Sequence, residues 1–139
     1  MIELEATMAQ QVGEAVTAFQ ARNTGHVPQQ VSVVLSDRTL VVTLHGALSP
    51  AETAIAKTPE GATYLQEYHK HLFNESIHSL RAEIQNITGV EVRQAAEEIA
   101  APNGTIVHAF PTGTPVQVFL MAEAIPPETW GSNDRHLIA

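Results

Sequence analysis

Thr58-Pro59-Glu60-Gly61 stands between an apolar pair of predicted strands and a long amphipathic segment, and it decides how the chain is folded. A threonine side chain caps a helix well, and proline fits the first helical position, so a helix begins at Pro59. The same combination of a hydroxyl cap and a following proline occurs earlier in the chain at Ser49-Pro50, where Glu52 completes a capping box. We therefore expect a short helix over residues 51–57 and a long helix that turns back over a sheet.

The segment before this motif predicts a helix followed by a β-hairpin. Apolar residues recur at spacings of three and four from Leu4 to Phe19, which is typical of one helix face, and Gly25 marks its end. Alternation of apolar residues over 31–35 and 40–44 then predicts two antiparallel strands joined by a turn.

The segment after the motif predicts a helix that ends at Thr88-Gly89, then strands. The apolar face of this helix comprises Leu65, His69, Leu72, Phe73, Ser76, Leu80, Ile84 and Ile87. An alternating pattern resumes at Val90, residues 105–110 form an optional further strand, and residues 116–121 predict a final strand.

The order α-β-β-α-α-β-(β)-β predicts an α+β fold, a two-layer sandwich in which an antiparallel sheet of four or five strands carries helices on one face. We expect one domain over residues 1–122 and a C-terminal extension over 123–139. The other sheet face is apolar too, since it receives Val34, Val41 and alternate residues of the last strand. An apolar outer face favours a second layer or a partner subunit, and we predict a homodimer.

The amino-acid composition excludes several classes of function. The chain has 139 residues, no cysteine and a formal charge of −8. Disulfides and cysteine nucleophiles are thereby excluded, and the charge disfavours nucleic acid. Apolar runs are too short for direct membrane insertion, and the acidic N-terminal residues do not resemble a secretion signal, so we expect a cytoplasmic protein. No motif predicts a catalytic residue or a cofactor.

One cluster on the long helix merits consideration as a metal site. Glu67, His71, Glu75 and His78 lie within one arc of the helix, opposite its apolar face. Carboxylate and imidazole groups at these spacings bind divalent ions, but carboxylate-bridged sites need two such motifs facing inward. We interpret the arc as a solvated surface and predict no metal.

Two further residues are candidates for an interaction. His69 lies at the centre of the apolar face, where it is either a core histidine or part of a contact. Trp130 is the lone tryptophan and stands in a polar, proline-led C-terminal stretch, so it docks on its own domain, on a second subunit or on another protein.

The order of these elements and the short sequence motifs between them resemble those of the MpsC family. The resemblance covers roughly residues 8–122 and is carried by residues 31–46, Leu48, Thr58-Pro59-Glu60-Gly61, Ile87-Thr88-Gly89-Val90 and Val116-Gln117-Val118-Phe119-Leu120. It implies an accessory component of a Na+-translocating, membrane-potential-generating system, whose membrane components have been connected with inorganic-carbon uptake. The histidine-rich Glu67-Tyr68-His69-Lys70-His71 departs from the more basic helix that the family pattern implies.

Two functional hypotheses follow. The first is a non-enzymatic accessory or regulatory protein that binds a protein partner in a membrane transport system. The alternative is a small-molecule- or metal-binding protein that uses the histidine-rich long helix. We favour the first hypothesis because the sequence contains no catalytic motif.

Overall fold

Among the described residues, the sheet has four antiparallel strands: β1 (Gln30–Ser36), β2 (Thr39–His45), β3 (Val92–Ile99) and β4 (Pro115–Met121). A computed structural model describes residues 6–99 and 115–131, with the backbone alone for 96–99. The order of these described strands is β1-β2-β4-β3, so β1 and β3 lie at the two ends of this order. The predicted α+β fold with an antiparallel sheet is confirmed, while the optional strand over 105–110 lies outside the described residues.

The helices are α1 (Met8–Thr24), α2 (Pro50–Ile55), α3 (Pro59–Thr88) and the short α4 (Pro127–Trp130). Helix α1 packs on β1, α3 packs on β3, and the two helices contact each other. Both therefore cover the same face of the sheet, as the sequence predicts. The core between the layers is apolar and includes Val12, Phe19, Leu40, Val42, Phe73, Leu80, Ile84, Phe119 and Met121.

The connection from β2 to β3 explains the length of α3. Both strands are antiparallel to β4, which lies between them, so β2 and β3 run in the same direction. A connection between strands of the same direction must return along the full sheet, usually as a helix. The 30 residues of α3 span roughly 45 Å, so the helix is longer than the strands. Near its beginning, α3 packs on α2 through Leu65 and Ala56.

The junction between α2 and α3 gives Thr58-Pro59-Glu60-Gly61 its physical role. The Thr58 hydroxyl accepts a hydrogen bond from the Gly61 amide at 3.0 Å, which caps α3. A Cβ atom at Gly61 would lie 1.8 Å from the Ile55 carbonyl oxygen. Only glycine allows this close approach, so the motif fixes the angle between the two helices.

The stripe that α3 buries differs slightly from the predicted one. Ile77 is buried where the spacing favoured Ser76, and Leu72 and Ile87 are only half-buried. Helix α3 contacts both β3 and α1, so the surface that it buries is wider than the stripe predicted for packing on the sheet alone. Helix α1 begins at Met8, after the predicted start of the pattern, because Thr7 and Gln10 form a capping box there.

The first part of the C-terminal extension packs on the domain. Ile125 and Trp130 are buried in the main core, and α4 contacts α1. A Cβ at Gly131 would lie 2.8 Å from the Cβ of Thr7, so the chain passes close to the start of α1. The boundary between residues 122 and 123 stays a prediction, although residues 123–131 contribute to the same core.

Candidate functional site

The sheet face opposite the helices exposes a continuous apolar strip. We call it the open face and define its centre by Val34, Val41, Val118 and Leu120. Cross-strand pairing places Val34 beside Val41 and Val41 beside Val118, which makes one row across three strands. Val34 is 59% exposed, and Val118 and Leu120 are each 37% exposed. These side chains come from the alternate positions that sequence analysis had flagged.

Small polar side chains flank this centre on β1 and β2, whereas Arg81, Arg93 and Gln94 line a cavity beside Val118 and Leu120 at the β3 side. Thr39 and Ser36 pair beside Leu120, and Thr43 and Ser32 pair on the other side of the valine row. The Ser32 hydroxyl contacts His45 Nε2 at 3.3 Å, at the far end of the strands. No described side chain at the strand positions of this face is Asp, Glu, Lys or Arg.

The periphery of the open face is bounded by two features of β3 and β4. Val116, at the start of β4, is buried at 6% exposure, and Glu98 occupies the register position opposite it. At the other end, Gln94 pairs with Leu120 next to a bulge at Arg93. Arg81 of α3 donates from Nη2 to the carbonyl oxygens of Val92 at 2.6 Å and Arg93 at 3.1 Å. The guanidinium thus ties the bulged edge strand to the helix layer.

The helix side contains a buried polar contact that joins α2 to α3. His69 Nε2 lies 2.8 Å from Glu52 Oε2, and His69 is 2% exposed. The other carboxylate oxygen of Glu52 accepts from the Ser49 amide at 2.9 Å, as part of the predicted capping box. One carboxylate therefore caps α2 and satisfies a histidine in the core.

This environment shifts the pKa of Glu52 downward. Burial alone raises the pKa, but the hydrogen bond from the Ser49 amide and the contact with His69 together lower it below its ordinary value of 4.5. A lowered pKa in the folded protein means that ionised Glu52 stabilises the fold above pH 4.5. That contribution disappears as the pH falls through the folded-state pKa.

The candidate metal ligands on α3 do not converge with other ligands. Glu67, His71, Glu75 and His78 are all exposed on the helix surface. Within residues 6–99 and 115–131, no three His, Asp or Glu side chains form a group that could hold an ion. Metal binding by these four residues stays a hypothesis based on the sequence.

Both candidate interaction residues are buried within the chain. Trp130 is part of the main core, and His69 is engaged with Glu52 and forms an edge contact with the Tyr68 ring. A contact with a partner would require either side chain to leave these surroundings, so their role in an interaction stays a prediction. The open face offers exposed apolar atoms without any such rearrangement.

Sequence reasoning missed two features of the helix side. It assigned Glu52 to a cap and His69 to an apolar stripe, but local patterns carry no signal for a contact between residues 17 positions apart. It also missed the stacked pair of Tyr64 and Tyr68, whose ring centroids are 6.3 Å apart on the exposed surface of α3. The spacing of four residues is the signal for that pair.

Comparison with known proteins supports the resemblance seen in the sequence. None of the helices within residues 6–99 and 115–131 combines the length and hydropathy that a membrane crossing requires. No curated protein and no solved structure matches the chain. Residues 5–112 match the family described as Na+-translocating membrane potential-generating system (MpsC). Because this match covers most of the chain, the protein belongs to the MpsC family.

Proposed function

We propose that this protein is a non-enzymatic accessory component that acts by protein–protein contact in a Na+-translocating or inorganic-carbon transport system. The family name supplies the association with a Na+-translocating, membrane-potential-generating system. The proposal places the protein in the cytoplasm as a homodimer that binds a protein partner. Neither a nucleic acid nor direct insertion into the bilayer is part of it.

The single observation that carries the proposal is the open face. Val34, Val118 and Leu120 expose apolar atoms side by side, on a sheet whose other face is fully covered by helices. Contiguous apolar patches on a protein surface typically mark contacts with other proteins. The face therefore supports a role in binding.

The surroundings of the buried polar pair support a non-enzymatic role. Glu52 and His69 combine burial with a shifted carboxylate pKa, which is a common sign of a reactive site. Here both groups already have structural partners, since Glu52 caps α2 and His69 lies against Glu52 in the core. Structural contacts thus account for the shift.

A binding experiment with matched variants tests the proposal. The membrane components of the transport system, from the same organism, are co-expressed with the wild type, Val118→Glu or Val27→Glu. Val27 is as exposed as Val34, at 59%, but lies in the loop before β1, so it provides a control for added charge. We expect wild type and Val27→Glu to co-purify with the membrane components and Val118→Glu to lose at least about tenfold of the bound amount.

Two results would contradict the proposal. One is that no variant, wild type included, associates with the transport components. The other is that Val118→Glu, shown to be folded by circular dichroism, binds as well as Val27→Glu does.

A further inference from the structure

We infer that the cavity at the β3 side of the open face binds a small amphipathic carboxylate. The charged head of this ligand contacts Arg81 and Arg93, and its apolar tail lies along Val118 and Leu120. We call this site the arginine cavity. The inference goes beyond the proposed function and does not depend on it, because the ligand is a free small molecule and not a protein partner.

The arginine cavity has the volume and the mixed lining of a small-molecule site. Its volume is about 510 Å³. Such sites usually measure about 300–1,000 Å³ and combine apolar walls with a few polar groups. The described residues that line it include no Asp or Glu, and they are Arg81, Arg93, Gln94, Ala95, Val118 and Leu120. Cationic and aliphatic side chains around one cavity suit a ligand that has both a negative charge and an apolar tail.

Arg81 is already held in place at this cavity. Its Nη2 group donates to the carbonyl oxygens of Val92 at 2.6 Å and Arg93 at 3.1 Å. A guanidinium has five N–H donors, so the Nε and Nη1 donors remain for an anion. Because these two hydrogen bonds fix the plane of the guanidinium, an anion can bind without first ordering a long side chain. Arg81 therefore provides a prepared contact for a negatively charged group.

Arg93 adds a second positive charge to the same cavity. It lies at the bulge of β3 and is exposed. In the part of the chain that the structure describes, no carboxylate pairs with Arg81 or Arg93, although the sequence has 15 acidic residues against 7 basic ones. Because like charges around one cavity repel each other, an anion bound there lowers the electrostatic energy.

The charges favour a carboxylate over a phosphate as the head group. A guanidinium can bind a carboxylate through two parallel hydrogen bonds. The formal charge of −8 on the chain repels anions, but salt screens that field beyond about 8 Å at physiological ionic strength, so the two nearby arginines dominate. A phosphate monoester carries a charge of nearly −2 and is repelled more strongly than a carboxylate.

The apolar wall explains why the ligand carries a tail. Val118 and Leu120 are each 37% exposed beside the arginines. An aliphatic or aromatic tail that covers these side chains removes apolar surface from water on both partners, which favours binding. An inorganic anion would leave this surface exposed.

An NMR titration of the full chain with hexanoate tests the inference. The Nε–H signals of Arg81 and Arg93 report on the head of the ligand, and the methyl signals of Val118 and Leu120 report on its tail. For a ligand of this size we expect a dissociation constant on the order of 1 mM. Hexanamide, which has the same length and no charge, is the matched probe and should bind at least about tenfold more weakly.

Two variants separate the head contact from the tail contact. Arg93→Gln removes one charge, and we expect it to weaken hexanoate binding at least about tenfold, whereas Arg22→Gln on the exposed surface of α1 should bind as wild type does. Val118→Thr keeps the β-branched shape that suits a strand and makes the wall more polar, so hexanoate binding should weaken about threefold. Circular dichroism and thermal melting check that each variant is folded.

Several results would overturn the inference. One is the absence of a saturable shift at hexanoate concentrations far above the expected dissociation constant. Another is equal binding of hexanoate and hexanamide, which would mean that charge plays no part. Equal binding by the Arg93→Gln and Arg22→Gln variants would exclude the head contact, and unchanged binding by Val118→Thr would exclude the tail contact.

The same carboxylate group also occurs on acidic side chains of proteins, and co-purification with the membrane components separates the two sources. A site for a free ligand predicts that Arg93→Gln co-purifies as Arg22→Gln does. Loss of the membrane components in Arg93→Gln alone would assign the arginines to a carboxylate of the partner and overturn the inference, while leaving the proposed function standing.

Discussion

The two faces of the sheet meet at neighbouring residues of β4 and have opposite environments. Phe119 is 0% exposed and lies against Phe73 with ring centroids 6.2 Å apart, whereas Val118, one residue away, is 37% exposed. Both are apolar, so composition alone does not distinguish them. Apolar side chains on one face therefore stabilise the fold of a single chain, whereas those on the other face stay exposed to solvent.

The largest expected effect is the contrast between these two residues. Phe119→Ala removes a fully buried ring and leaves a cavity, so we expect the free energy of unfolding to fall by about 4 kcal/mol. Val118→Ala removes half-exposed methyl groups and should cost less than about 1 kcal/mol. Urea unfolding at the lowest workable protein concentration measures both, because dimerisation then contributes least. Equal losses would mean that both faces are core.

Replacement of the lone tryptophan by alanine tests whether the C-terminal extension belongs to the core between the sheet and the helices. Trp130 is buried in the main core, and we expect Trp130→Ala to lower the free energy of unfolding by about 3 kcal/mol. Glu128→Ala on the same short helix is the control, because Glu128 is exposed and should change stability by less than about 0.5 kcal/mol. Urea unfolding followed by circular dichroism measures both. A negligible loss for Trp130→Ala would place α4 outside the cooperative unit.

The acid dependence of stability tests the polar contact within the covered side. The pKa of Glu52 is lowered in the fold, so its ionised form stabilises the protein above pH 4.5, and this contribution is lost as the pH falls through the folded-state pKa. We expect Glu52→Gln to lower the free energy of unfolding by about 1 kcal/mol at neutral pH. Below the folded-state pKa of Glu52, the variant and the wild type should approach the same stability. Unfolding across acidic pH measures this, with Glu60→Gln at the exposed start of α3 as the control.

A constant difference between Glu52→Gln and wild type at all pH values would contradict this account of the pKa. So would an equally large pH-dependent difference for Glu60→Gln.

The smallest expected effect concerns the outer surface of α3. His71 and His78 are exposed, so a double change to alanine should alter the free energy of unfolding by no more than about 0.5 kcal/mol. Added zinc should leave the melting temperature unchanged in wild type and variant alike. A saturable zinc-dependent rise of the melting temperature in wild type that disappears in the variant would support the metal-binding alternative.

The sequence predicted those parts of the molecule that local patterns determine. The caps at Ser49 and Thr58, the hairpin of β1 and β2, and the single-sided helix layer all follow from side-chain periodicity and from helix-start residues. Val34 and Val41 were predicted to lie on an outer apolar face for the same reason, together with alternate residues of the last strand. These features depend on neighbours a few residues apart, where spacing carries the information.

Contacts between distant segments were not predictable in this way. Glu52 and His69 each satisfied a local interpretation, and only the packing of α2 on α3 brings them to 2.8 Å. The role of Gly61 likewise appears only when the Ile55 carbonyl is seen beside it. Helix α3 buries Ile77 more deeply than Ser76, and this too depends on distant segments, since the helix contacts both β3 and α1.

The most direct test of the open face as a binding surface is the solvent accessibility of its methyl groups, measured by NMR with a soluble paramagnetic agent at several protein concentrations. Val34, Val118 and Leu120 report on the open face, and Val27 reports on an exposed residue outside the sheet. We predict that the three reporters become protected as the concentration rises, while the Val27 methyl groups stay accessible throughout. Open-face methyl groups as accessible as those of Val27 at every concentration would contradict the account.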